Sequence, residues 1–138
     1  MDHALPAEVP QTGYGSIDSD HDELLYLATA ISGIPDSELA AAFDQLHARF
    51  AEHFSKEDAL MDAEDFSSRQ CHLDEHAAVL QSFGQARALL QQGKLQPARN
   101  MATQLINWLP EHIDALDRQL AKFLFHRQTG GAPILLRR

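Results

Sequence analysis

Between residues 39 and 60 the chain sets Leu39, Phe43, Leu46, Phe50, His53, Glu57 and Leu60 at alternating steps of four and three. At about 100° per residue, an α-helix keeps all of these side chains on one stripe. A stripe of this period marks a helix packed in a bundle. It is apolar except at His53 and Glu57, which are carried into the core with it. Whatever this chain folds into must bury an imidazole and a carboxylate, and a buried polar group without a partner costs on the order of several kcal/mol.

Three further segments show helical periodicity, separated by short stretches of Gly, Pro and Ser. The first runs from about Asp18 to Ser32 and is closed by Gly33 and Pro35. The striped segment is the second, capped near Asp36 or Ser37 and ending near Glu64. The third, about Arg69 to Gln92, carries His72, His76, Val79, Phe83, Ala86 and Leu90 on its inward face, with Gly93 as a stop. The fourth begins at about Pro97, where a first turn tolerates proline, and ends near Arg127 before Gly130 and Gly131. Its inward positions are Met101, Leu105, Trp108, Leu109, His112, Ile113, Leu116, Leu120 and Phe123. Strand signals are missing. The reading is all-α: one domain over residues 1–138, an up-down-up-down four-helix bundle with a short N-terminal arm (1–16) and a C-terminal tail (128–138).

Composition narrows the function. Eleven Lys plus Arg against 20 Asp plus Glu give a formal charge of −9, which repels phosphate backbones and anionic lipid surfaces. No nucleic-acid partner is expected. No window approaches the roughly 20 apolar residues of a membrane-spanning helix, and the N-terminus has neither the basic start nor the apolar run of a secretory signal. The expectation is a soluble, cytoplasmic protein with no membrane partner. A single cysteine, Cys71, excludes an internal disulfide framework and any multi-cysteine metal site.

The polar residues on the inward faces carry the chemistry. His53 with Glu57, and His72 with His76, are i, i+4 pairs whose side chains converge. His112 lies on the inward face of the fourth segment, and His21 sits on the first among Leu24, Leu25, Ala28 and Ile31. Each helix thus offers at least one histidine. Imidazole-rich donors suit iron, zinc or copper better than magnesium or calcium, which prefer oxygen. One zinc ion would be satisfied by about four ligands, so two metals fit this many donors better.

These spacings resemble the hemerythrin family. Ile17-Asp18-Ser19-Asp20-His21 is similar to its opening I-D-x-x-H, and His53-Phe54-Ser55-Lys56-Glu57-Asp58-Ala59-Leu60-Met61 to H-F-x-x-E-[ED]-x-x-M. His72 to His76 gives H-x-x-x-H, and Trp108 to Asp117 gives W-L-x-x-H-I-x-x-x-D. The motifs occur in order across residues 17 to 120. The resemblance implies a ligand set of His21, His53, Glu57, His72, His76, His112 and Asp117 around two iron ions. In the family, Glu57 and Asp117 correspond to carboxylates bridging the irons, with an oxo or hydroxo group as third bridge. With roughly six positions on each iron, one position is left open for dioxygen, or for nitric oxide. Leu24, Phe54, Trp108, Leu109 and Ile113 stand beside the ligands and would keep that gas pocket dry.

His112 and Asp117 are five residues apart, about 140° round a regular helix. Either they flank two metals, or a π-bulge brings them together. Pro110 removes a backbone donor to Ile106, so a kink is expected just before His112, helping to aim these ligands. Where the family commonly has Tyr-Pro, this chain has Phe66-Ser67, which removes a hydroxyl but no ligand.

The remaining features take plainer readings. His47 lies about 120° off the inward face of its helix and is read as a surface residue, as are His3 and His126. Cys71 is read as a small packing residue, and the acids of the outer faces as solvation. Trp108 and Leu109 serve as core whether or not they also line the pocket.

The function expected is reversible dioxygen binding, for storage, delivery or sensing, and not catalysis. An enzyme acting on nitric oxide or peroxide at the same centre is the alternative, with an iron reservoir or interaction module as a third. Oxygen-activating ferritin-like proteins carry Glu-x-x-His, and no such tetrapeptide occurs in this chain.

Overall fold

The computed structural model describes residues 10–63 and 66–129. Every regular element among them is helical: α1 (Gly15–Ile31), α2 (Asp36–Ala63), α3 (Arg69–Gln91), α4 (Gln96–His112), a π-helical turn (Ile113–Asp117) and α5 (Arg118–Thr129). The last three follow one another without a break and fill the span read as the fourth helix. Each helix packs against its chain neighbours, and α1 closes the ring against α4. Short connections between antiparallel helices produce the four-helix bundle expected. No helix among the described residues is long and apolar enough to cross a membrane. His3, most of the expected arm and the tail from residue 130 lie outside the described residues.

Local chemistry sets the helix ends. Asp36 and Glu38 occupy the first turn of α2, where the helix dipole favours negative charge. Gly93 follows α3 with φ +82, a left-handed conformation that glycine adopts without strain. Its N–H donates to Leu90 O (2.9 Å) and that of Lys94 to Leu89 O (3.0 Å), which closes the helix as a Schellman motif. Arg99, near the start of α4, donates to the carbonyls of Ile31 and Ile34, both at 2.9 Å, and to Asp36 at 2.7 Å. It thereby ties the α1–α2 connection to the start of α4.

The boundary of the N-terminal arm needs correction, because α1 begins at Gly15. Asp18 is the cause. Its carboxylate accepts the Thr12 N–H and hydroxyl, both at 2.8 Å, and the Gly13 N–H at 2.9 Å, which folds residues 12–14 back against the helix start. Gly13, at φ +87, lies 3.6 Å from the Phe125 ring at the position where a Cβ would stand.

The core has two apolar layers. The larger contains Leu24, Leu25, Phe43, Phe50, Phe54, Phe83, Leu105, Leu109 and Ile113 among others. The smaller contains Ile17, Met61, Phe66, Leu120 and Leu124. Phe66, at the family's tyrosine position, is buried and packs on Phe123 with ring centroids 4.9 Å apart. Between the layers lies a buried stratum of His21, His53, Glu57, His72, His76, His112 and Asp117.

Candidate metal centre

Each helix contributes to this stratum: His21 from α1, His53 and Glu57 from α2, His72 and His76 from α3, and His112 from the end of α4. Asp117 arrives by way of the π-helical turn. There the Arg118 N–H donates to Ile113 O, an i→i+5 bond that widens the helix by one residue. The widening brings Asp117 Oδ1 to 3.3 Å from His112 Nε2. Of the two arrangements left open for this pair, the π geometry is present. Helix α4 continues through Pro110, so the distortion lies just after His112 and not before it.

The carboxylates divide their oxygens between two groups of imidazoles. Glu57 Oε2 lies 2.9 Å from His53 Nε2 and 3.8 Å from His21 Nε2, while Oε1 lies 3.2 Å from His76 Nε2 and 3.3 Å from His72 Nε2. Asp117 Oδ2 lies 2.9 Å from His21 Nε2, and its Oδ1 2.7 Å from His72 Nε2. The donors therefore form two overlapping sets: Glu57, His72, His76, His112 and Asp117, and His21, His53, Glu57 and Asp117. Within each set the ligand atoms lie within 4.8 Å of one another.

Three of the histidines are fixed from behind by acids read as surface solvation. Asp20 of α1 meets His53 Nδ1 at 3.0 Å, Asp58 of α2 meets His76 Nδ1 at 2.8 Å, and Glu75 of α3 meets His112 Nδ1 at 2.8 Å. In each case an acid next in sequence to one of its own helix's donors reaches across to a histidine of the following helix. With the proton of Nδ1 donated to a carboxylate, Nε2 presents its lone pair inward. Sequence reasoning missed these residues, although their position beside the candidate ligands was a usable signal.

The aromatic cover is unequal. Phe54 stacks on His76 at 3.9 Å and 9°, and half-buried Trp108 stacks on His112 at 4.3 Å and 23°. Both rings thus cover the three-histidine set. Leu24, Phe54, Leu109 and Ile113 are buried in the larger apolar layer, with Trp108 packed against it. His47 is half-buried and not a surface residue, because its ring stacks on Phe83 at 4.7 Å and 3°. Cys71 is exposed, not packed, since one residue before His72 is about 100° round the helix.

The hemerythrin HHE cation binding domain family matches residues 12–124. The chain belongs to the hemerythrin family. It is 29% identical over 121 residues to a bacteriohemerythrin of Ralstonia nicotianae (strain ATCC BAA-1114 / GMI1000), covering 88% of either chain. No solved structure gives a significant match.

The stratum of this hemerythrin domain passes a direct test of fit to a cation. Both oxygens of Glu57 and of Asp117, and Nε2 of His21, His72, His76 and His112, are buried without an aligned hydrogen-bond partner, whereas native proteins satisfy nearly all such atoms. Positive ions between the two sets would meet all of them at once. Protons are the other positive charges available. Burial alone would lower the pKa of His21 and of His72, but contact with Asp117 and Glu57 carries each to about 9. His53 is raised in the same way against its own burial, by Glu57 and Asp20. Burial favours the neutral form of Glu57 and Asp117, yet the surrounding imidazoles hold both carboxylates well below the usual range.

Proposed function

We propose that this hemerythrin domain holds two iron ions, joined by Glu57, Asp117 and an oxo or hydroxo bridge, and binds dioxygen reversibly at the two-histidine side. The observation that carries the reading is the split of both carboxylates between unequal sets of three and two imidazoles. With roughly six positions per iron, three histidines and three bridges complete one ion. Two histidines and three bridges leave a position vacant on the other. The bacteriohemerythrin relative supports this assignment.

When bound, the di-iron group would supply the electrons that dioxygen takes up and returns on release. The chain's own residues do the rest. His53, His76 and His112 keep their Nδ1 protons on Asp20, Asp58 and Glu75, which fixes ring orientation and tautomer. Leu24, Phe54, Leu109 and Ile113 give the site an apolar wall that limits the entry of water and slows displacement of the bound gas by solvent. The functional class is storage, delivery or sensing of oxygen in the cytoplasm, by one domain spanning the chain.

The test is optical. Reduced, iron-loaded protein exposed to air should gain a visible charge-transfer band that disappears under argon, with two irons per chain by metal analysis. Rapid conversion to a stable oxidised form without that band would instead favour an enzyme acting on oxygen, peroxide or nitric oxide.

A further inference from the structure

The two halves of the centre differ in more than donor number. Five donors converge on one side and four on the other, and the sets share both carboxylates. A first divalent ion in the five-donor half has its charge balanced by Glu57 and Asp117. A second then enters a site with no net negative charge left and a like charge nearby, which makes it the weaker guest.

Access differs in the same sense. The five-donor half is roofed by the Phe54 and Trp108 rings. On the four-donor side, His53 forms part of the wall of a cleft of about 250 Å³ between α1 and α2. Asp20, Glu23 and Glu52 line the same cleft and would draw cations into it. Two cross-helix ion pairs, Arg49 with Glu23 and Lys56 with Asp20, span it. The Arg49–Glu23 pair is exposed, and pairs of that kind contribute little stability, so it opens easily, whereas half-buried Asp20 also holds His53 Nδ1 and is the firmer side.

We propose that the α1–α2 cleft is the passage by which metal enters and leaves the four-donor half, and that the five-donor half fills first and keeps its ion. This rests on the two-metal reading of the centre. It adds an order of loading and a door built from Glu23, Arg49, Glu52 and Lys56, residues that ligate nothing.

The full chain, stripped of metal, is titrated with cobalt(II) and followed by calorimetry and visible absorption; the loaded protein is then challenged with excess chelator. Two binding steps separated by about tenfold or more are expected, the scale on which a site's surroundings alter affinity. One fast and one slow release phase should follow. His53→Ala should abolish the weaker step alone. Arg49→Ala, a surface change outside the ligand set, should speed the fast phase by about two- to fivefold, the scale of losing exposed ion pairs, and leave the slow phase unchanged. Two equal steps with one release rate would overturn the proposal, as would loss of the tight step in His53→Ala or release unaffected by Arg49→Ala. Binding of fewer than two cobalt ions by the unaltered chain would instead overturn the two-metal reading itself, and this proposal with it.

Discussion

Replacing Asp117 by asparagine separates the electrostatic role of this residue from its role toward metal, provided the measurement is made on metal-free protein. In that form His21 and His72 are protonated at neutral pH, and Asp117 contacts both at 2.9 and 2.7 Å with no exposure to solvent. The rise of each histidine from 6.5 to about 9, at roughly 1.4 kcal/mol per pH unit, corresponds to about 3 kcal/mol. Both shifts draw on Asp117 and Glu57 together, with Asp117 the larger contact, and therefore they do not add. Removing one partner of a buried pair independently leads to about 3–5 kcal/mol. A pKa raised on folding stabilises fully below the unfolded value of 6.5 and loses that effect as pH rises through about 9, while Asp117 stays ionised throughout. Urea unfolding of chelator-stripped protein should show Asp117→Asn to be less stable by about 3 kcal/mol at pH 6. The gap should fall below about 1 kcal/mol at pH 10, where the histidines are neutral in both proteins. A gap independent of pH, or none at pH 6, would refute the assignment of these protons.

Three further outcomes follow from the same geometry. Asp58→Ala frees the Nδ1 of His76 and should weaken metal binding by about 10–100-fold with little change in the circular dichroism of the helices, as checked by competition with a chromogenic chelator. Inserting one alanine between Asp114 and Ala115 places Asp117 six residues after His112, more than the single π turn brings into register, and rotates it away from His112; metal analysis should find fewer than two ions per chain, and two tightly held ions would contradict the role given to the turn. Phe54→Ala removes a ring buried against His76 and should cost about 3–5 kcal/mol in denaturant unfolding, while hastening loss of the oxygen-dependent visible band.

Much of this was legible in the sequence because the candidate ligands obey the same periodicity as the core. His53 and Glu57 continue the stripe that begins at Leu39, and the helix limits at Asp36 and Gly93 follow from first-turn acids and glycine conformation, both local effects. What escaped was non-local. Asp20, Asp58 and Glu75 are partly exposed acids at positions that normally face solvent, and only the packing of the following helix turns them toward His53, His76 and His112. The early start of α1 depends on Asp18 capturing Thr12 and Gly13, a contact that helical periodicity does not encode. His112 and Asp117 left two arrangements open because a π turn differs from an α turn by one residue. Pro110 pointed to an irregularity in that helix but not to the side of His112 on which it falls.

The division of the core into two apolar layers has a consequence for how the molecule breathes. Among the described residues, the apolar cluster around Ile17 and Leu120 holds five buried side chains against 17 in the other. Opening free energies track buried apolar contact. The smaller layer should therefore exchange its amide hydrogens first in the metal-free chain, as a unit that includes the end of α2 and the start of α5. Ions held between the layers would act as a rivet, since Glu57 and Asp117 belong to the segments that must part. Metal occupancy would then be written in the protection of amides near Met61 and Leu124, one and two helical turns beyond Glu57 and Asp117, as well as at the centre itself.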